Sequence, residues 1–302
     1  MAASKYLGLA AGVLFSAAAL AQTDLLDELE QQADTAATPV VATFKSTRII
    51  NGHSVETVQR HHLDFRISHR FGRLNSGAYE LFGLDQASLR LGFEYGLSDK
   101  LMIGVGRSNE QKAYDFLAKY RVLTQTTGAR QVPVSVALFG SAVIRTQRSF
   151  IPGEERTFSE KLTYCGQVLV ARKFSERLSL QVTPTYLYRQ RPELATDVPA
   201  LWAVGAGGRM KLSKRVSVNA EYFWTARGSA QVPYYNALAV GVDIETGGHV
   251  FQLHFTNSRG MVEKHFIGET TGSWGKGDVH YGFNISRVFS LEKKTKRASA
   301  SW

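Results

Sequence analysis

Recurrent runs of alternating residues constrain this chain more than any motif in it. In the last run, Val279, Tyr281, Phe283, Ile285 and Phe289 hold one phase and His280, Gly282, Asn284 and Ser286 the other. A strand built from it has an apolar face and a small, hydrogen-bonding face, as the wall of a wet interior would. Leu63, Phe65, Ile67 and Phe71 alternate in the same way with His62, Asp64, Arg66, Ser68 and Arg70. Leu89, Leu91, Phe93 and Tyr95 alternate with Arg90, Gly92, Glu94 and Gly96. Further runs fall at roughly 101–108, 113–124, 133–145, 160–174, 177–189, 200–213, 215–227, 236–245, 249–257 and 279–289. Many are about 9 to 13 residues long, enough for a tilted strand to cross a bilayer and longer than the about 5 or 6 usual in soluble sheets.

The connections point the same way. Leu97-Ser98-Asp99-Lys100-Leu101, Phe174-Ser175-Glu176-Arg177-Leu178 and Leu212-Ser213-Lys214-Arg215-Val216 repeat one design, three polar turn residues between hydrophobes. Glu245-Thr246-Gly247-Gly248-His249 is a fourth tight turn. Longer connections near 72–86, 146–159, 189–199, 228–235 and 258–278 lie between them. Alternating short turns and long loops is the pattern of an outer-membrane barrel. The short link at Ser108 to Lys112 and the longer turn at 125–132 depart from it. The expectation is an all-β chain with a single antiparallel transmembrane β-barrel of about 12 strands over 61–289. An even strand count puts both termini in the periplasm. A soluble sandwich would also tolerate single alternating strands; recovery in the membrane pellet after a carbonate wash separates the two.

The N-terminus reads as an export signal. Lys5 precedes an apolar run from Tyr6 to Ala21, short for a membrane span, and Ala19-Leu20-Ala21 fits a small-x-small cleavage site, giving a signal peptide at 1–21. Residues 22–60 read as a short N-terminal periplasmic segment, with a capped acidic helix from Thr23 to Glu30 and an extended stretch from Val40 to Ile50 before an Asn51-Gly52 turn. This segment is long enough to plug the lumen or to meet a periplasmic partner. Residues 290–302 form a basic C-terminal tail.

The formal charge is +10, yet it is scattered along the strands rather than clustered, and no nucleic-acid recognition motif accompanies it. The partners expected are outer-membrane lipid and small solutes, with no nucleic acid and no cofactor. The lone Cys165 excludes an intrachain disulfide. None of the eight histidines sits in a metal-ligand spacing, so no metal is expected. No nucleophile elbow occurs; Ser258 near His254 is the least poor esterase candidate.

Closure assembles the candidate site. In an even-stranded barrel the last strand pairs with the first, which brings His280, Asn284 and Ser286 beside His62, Asp64, Arg66 and Arg70. Gln252 and His254 lie on the strand before, and Arg90 and Glu94 on the strand after. All hold the polar phase and are expected to form a lumen patch. The bland alternative is mutual satisfaction, since buried charges must be paired, with Asp64, Arg66, Arg90 and Glu94 serving one another.

Several segments carry a family resemblance. Ala42-Thr43-Phe44-Lys45-Ser46-Thr47-Arg48-Ile49-Ile50-Asn51-Gly52-His53, Leu63-Asp64-Phe65-Arg66-Ile67-Ser68-His69-Arg70-Phe71-Gly72, Phe82-Gly83-Leu84-Asp85 and Leu101-Met102-Ile103-Gly104-Val105-Gly106 are four of them. The closing ones are Phe251-Gln252-Leu253-His254-Phe255-Thr256-Asn257 and Trp274-Gly275-Lys276-Gly277-Asp278. Together they resemble a barrel family of Bacteroidota catalogued as a domain of unknown function. The resemblance brackets most of 42–289 and implies an outer-membrane β-barrel. It supplies no substrate and no catalytic residue. The expected function is a passive channel or transport protein for small solutes, with anions favoured if Arg66, Arg70, Arg90, Lys119 and Arg121 leave the lumen positive. The alternatives are a closed structural or partner-docking barrel and, third, a lipid-modifying enzyme.

Overall fold

A computed structural model describes residues 37–149, 153–193, 197–227 and 234–292. The signal peptide, the acidic helix at 23–30 and the tail beyond residue 292 lie outside them. Twelve antiparallel strands close into one barrel. They are β1 (His62–Arg73), β2 (Ala87–Gly96), β3 (Leu101–Ser108), β4 (Tyr114–Leu123), β5 (Ser135–Ile144) and β6 (Leu162–Lys173). After them come β7 (Leu178–Arg189), β8 (Ala200–Lys211), β9 (Val216–Ala226), β10 (Ala237–Thr246), β11 (His249–Thr256) and β12 (His280–Ser290). The strand bounds follow the alternating runs to within a few residues. A separate small unit pairs Ala37–Pro39 with Thr126–Gly128.

Closure runs through β12 and β1, from Ser290 opposite His62 to His280 opposite Arg73, with a register shift between His280 and Gly282. The four tight turns and both ends of the barrel chain share one side, here the turn side. The opposite, loop side carries, among the described residues, the connections 74–86, 109–113 and 257–279. The outer face is apolar, with Leu91, Phe93, Val105, Phe116, Val182, Val204 and Leu253 all exposed. Toward the loop side it becomes aromatic with Tyr114, Tyr164, Tyr186, Trp202, Tyr222 and Trp224. An apolar band edged by amphipathic rings is what a strand wall needs to lie in lipid.

The interior differs from a wet, uniformly polar lumen. On β11, β12, β1 and β2 the inward phase is polar or charged, as the sequence indicates. Farther round, Met102, Leu117, Ala137, Phe139, Leu169, Leu187, Leu201, Phe223 and Ala239 point inward and are buried. Two inserts cover them. The first is residues 43–58, which lie wholly within the 22–60 segment expected on the periplasmic side. It forms no strand over 40–50; it folds back on itself inside the barrel, with Ile49 N donating to Gly52 O (2.8 Å) and Ser54 N to Thr47 O (2.9 Å) around the Asn51-Gly52 turn. Backbone groups taken out of water must find such partners. Ala42 (φ 55°) and His61 (φ 58°), both in the left-handed region, turn the chain into and out of this hairpin.

The second insert is the loop-side connection 257–279, which carries a short helix, α1 (Glu263–Gly268), buried over its whole length. Sequence periodicity misses it because six residues are too few to show a 3.6-residue repeat. Phe44, Ile49, Ile50, Val55 and Val58 of the hairpin join Met102, Leu117, Phe139 and Leu169 of the wall in one apolar cluster. Phe266 and Ile267 of α1 join Leu187, Leu201, Phe223 and Cys165 in another. Cys165 is thus a packed small side chain.

The closing seam leaves no room at Gly282, where an added Cβ would stand 2.2 Å from the backbone carbonyl oxygen of His69. Gly282→Ala is expected to destabilise the barrel by roughly 1–3 kcal/mol, seen as a lower urea midpoint for loss of the compact band on unheated gels. Gly140→Ala, at a position with no neighbour within 4 Å, is expected to leave the midpoint unchanged.

Candidate functional site

The hairpin tip is held by a carboxylate. Glu221, inward-facing on β9, accepts hydrogen bonds from the backbone N–H groups of Ile50 (3.1 Å), Asn51 (2.7 Å) and Gly52 (3.0 Å). Consecutive amides in a tight turn converge, so one anion satisfies all three. Gly52 is obligatory in this contact: a Cβ there would lie 2.8 Å from the Phe223 ring. On the opposite wall Lys119 of β4 donates to the carbonyls of Thr47 (3.0 Å), Ser54 (2.9 Å) and Glu56 (2.7 Å). An ammonium and a carboxylate thus clamp a backbone that offers them only dipoles. Gln181 bridges His53 O and Val55 N, and Gln252 donates to Ile49 O.

The patch inferred from barrel closure is the remainder of this socket. Arg66 donates through one guanidinium nitrogen to Ser46 Oγ (2.7 Å), Thr47 Oγ1 (3.0 Å) and Asp64 (2.9 Å). Thr47 donates its hydroxyl to Glu94. Arg70 joins Asn51 Oδ1 (2.8 Å) to Asn284 Oδ1 (3.1 Å), and Asn284 donates to Ile50 O (3.0 Å). Arg66 thus bonds Asp64 and Arg70 bonds Asn284, and Arg66, Arg70, Glu94 and Asn284 also bind residues 46–51. Arg90 departs from the expected pairing. Its partner is Asp115 of β4, with Nε 2.9 Å from Oδ1, because the inward phase of β4 comes within its reach.

The three histidines of the patch go to different places. His254 is buried on β11. A Cβ at Gly282 would stand 3.1 Å from its Nε2, so the small residue makes room for the ring. His280 lies at the loop-side end with Nδ1 donating to Phe71 O (2.8 Å). His62 stands half-exposed at the turn side, bonded to Arg60 O (2.9 Å), and does not join the cluster. Ser258 donates to Gly260 O (3.2 Å) rather than to an imidazole.

The two inserts meet in the middle of the lumen. Arg48 of the hairpin lies 3.8 Å from Glu263 of α1 and 3.8 Å from Glu94 of the wall. His53 lies 3.8 Å from the same Glu263. Burial first and the Arg48 charge second push the His53 imidazole well below its usual range, so it is neutral and the contact is not an ion pair. Burial also raises the Glu263 carboxyl, against the opposing pull of Arg48. Cavities remain at either end. One of about 310 Å³ at the turn side lies beside Phe44, Val58, Val250 and Val288, and one of about 480 Å³ opens among the loops. Between them the socket, the hairpin and α1 are buried. Reading only the strands overlooks this lock, since its second half lies in residues 43–58. The signal available was their run of Phe44, Ile49, Ile50 and Val55, apolar enough to require cover.

Glu221→Ala orphans three buried amides. It is expected to weaken the seated hairpin by about 3 kcal/mol, which corresponds to about 100-fold more opening. Trypsin cleavage after Arg48 in membrane-reconstituted protein should accelerate by a similar factor.

A family model described as a membrane bound beta barrel domain (DUF5777) matches residues 44–289, the hairpin included. No curated protein matches the chain. Among solved structures it is similar to the NanC porin, at 9% identity and TM-score 0.46, covering 76% of this chain and 100% of that one. The KdgM porin has 9% identity and TM-score 0.44, covering 76% and 99%. The outer membrane protein Omp33 of Acinetobacter baumannii has 9% identity and TM-score 0.39, covering 76% and 98%.

Proposed function

The chain belongs to the DUF5777 family of membrane-bound β-barrel domains, and we propose that it is an outer-membrane conduit for small solutes, shut at rest by its own N-terminal hairpin. The seated hairpin carries this reading. Phe44, Ile49, Ile50, Val55 and Val58 are each 5% exposed or less. At about 1.5–3 kcal/mol per buried side chain, their packing alone is worth on the order of 10 kcal/mol. A segment held that firmly does not leave by thermal fluctuation at a useful rate, so the resting barrel is closed, and transport requires the hairpin to be displaced. The polar socket supports displacement as an event distinct from unfolding. Every strand contact of the wall is complete without the hairpin, so its withdrawal leaves the barrel intact and uncovers Arg66, Arg70, Lys119, Glu94 and Glu221, with α1 still seated over Leu187, Leu201 and Phe223.

An anion preference has little to rest on. Arg66 stands beside Asp64, Arg90 beside Asp115 and Arg209 beside Glu245. These pairs contribute no unopposed positive field, and Arg70 and Lys119, which bond only amide and carbonyl oxygens, share the lumen with Glu94 and Glu221, so selectivity between small ions should be weak.

A second reading, a closed docking barrel without transport, is favoured by the apolar bed under both inserts. In that case a periplasmic partner would meet residues 22–60 outside the seated stretch 43–58. No residue is assigned a catalytic role.

Planar-bilayer conductance separates the two readings. The full chain should show rare, brief openings, and a variant lacking residues 41–60 should show frequent, steady ones with a reversal potential near zero in a salt gradient. Equal conductance in both proteins, or silence in both, contradicts the gated conduit.

A further inference from the structure

The loop-side cavity is built differently from the socket below it. Its volume of about 480 Å³ lies within the roughly 300–1,000 Å³ that accommodates a small organic ligand. Such sites are mostly apolar; this one is lined by no Val, Leu, Ile, Phe or Met side chain. Its charges are already matched. Arg73 pairs with Asp278 at 3.3 Å and Arg259 with Glu110 at 3.3 Å. Glu193 receives Arg145, Arg156 and Lys264, and Lys264 also reaches Glu269. Gln111 ties this network together, with Nε2 donating to Glu269 (2.9 Å) and Oε1 accepting from Lys264 and His265.

A wall of this kind selects by elimination. An apolar ligand finds no aliphatic side chain to pack against, only the Tyr234 ring and the carbon stems of polar residues. A charged ligand has to break a matched pair and leave one partner uncompensated. A hydroxyl both donates and accepts, so it can sit between a guanidinium and a carboxylate without disturbing either. The remaining capacity suits hydroxyls: His280, whose Nδ1 is committed to Phe71 O, offers Nε2 as an acceptor, while Gln86, whose Nε2 donates to Glu80 (3.4 Å), and Tyr234, whose hydroxyl donates to Asp197 (3.2 Å), keep an amide oxygen and a phenol oxygen free to accept.

We propose that this vestibule is a recognition site for an uncharged, hydroxyl-rich solute of mono- or disaccharide size, and that its occupancy is relayed to the hairpin through the 257–271 insert. The relay is a matter of adjacency. Gly260, His265 and Glu269 line the cavity, and Glu263, two residues from His265, faces Arg48 and His53 at the hairpin. A solute that shifts the cavity floor shifts the group on which the hairpin rests. The recognition step stands on the cavity's own chemistry; only the relay rests on the gated-conduit reading.

The test is isothermal titration calorimetry of the full chain in detergent micelles. The probes are a panel of neutral mono- to tetrasaccharides, with glucuronate and glucosamine as charged counterparts. The expected result is saturable binding of at least one neutral saccharide, with its charged counterparts at least tenfold weaker. The double variant Gln86→Ala/Tyr234→Phe should lose at least tenfold in affinity while keeping the compact band of a folded barrel on unheated gels. Should that variant not fold, Gln86→Ala alone serves, with the same direction expected. Absence of binding across the neutral panel, or preferential binding of the charged sugars, overturns the recognition site. Saccharide binding without faster trypsin cleavage after Arg48 overturns the relay and leaves the recognition site standing.

Discussion

A closed strand wall alternates, so half of every strand faces inward, and whatever it presents there must be matched by something inside the ring. In a membrane the polar half cannot turn to lipid, and unsatisfied groups cost several kcal/mol each. Water satisfies that demand in an open pore. Here the chain meets it with its own backbone: the carboxylate of Glu221 collects three amides of the hairpin tip, and the ammonium of Lys119 collects three carbonyls from its arms. These two charges on opposite walls fix where residues 43–58 sit. From that placement follow the apolar bed beneath the hairpin, the depth to which α1 can enter, and the separation of the two end cavities.

The division of the inner wall follows from the same demand. β11, β12, β1 and β2 carry Gln252, Asn284, Arg66, Arg70 and Glu94, which need polar partners and find them in residues 46–51. The inward phases of β3 to β9 add Met102, Leu117, Phe139 and Leu169, which need apolar cover and find it in Phe44, Ile49, Ile50 and Val55, to the polar Lys119, Gln181 and Glu221. The hairpin meets both needs. That double fit distinguishes it from a tethered segment resting in a pore, and it explains why Asn51-Gly52 must be a tight turn. Only a sharp reversal lets both arms lie in the lumen with the tip against Glu221.

The barrel was largely legible in the sequence because a membrane wall obeys a simple rule, period 2 over a bilayer's thickness. The alternating runs matched all twelve strands, and the tight turns after Gly96, Lys173, Lys211 and Thr246 lie together on one side as their spacing implied. The site was legible by halves. Closure placed Asp64, Arg66, Arg70, Glu94 and Asn284 together, since pairing of β12 with β1 follows from strand parity. It does not supply their partners, because residues 43–58 have no regular repeat and their position is set by contacts with strands up to 234 residues distant in sequence. Arg90 bonds Asp115, on the same inward phase two strands away, a proximity that depends on barrel curvature and that strand order alone does not show. His62 was included for its phase alone, although it lies at the strand's end, where the wall gives way to solvent.

The account depends on residues 43–58 being seated in the lumen of the membrane-embedded protein. Amide hydrogen exchange of the full chain in lipid bilayers measures this directly. The amides of Ile49 to Val55 should be protected to a degree comparable with those of β1 and β12, as expected for buried, hydrogen-bonded backbone. Exchange of those amides at the rate of an exposed segment, with β1 and β12 still protected, would show that the barrel stands without its hairpin at rest and would contradict the closed conduit.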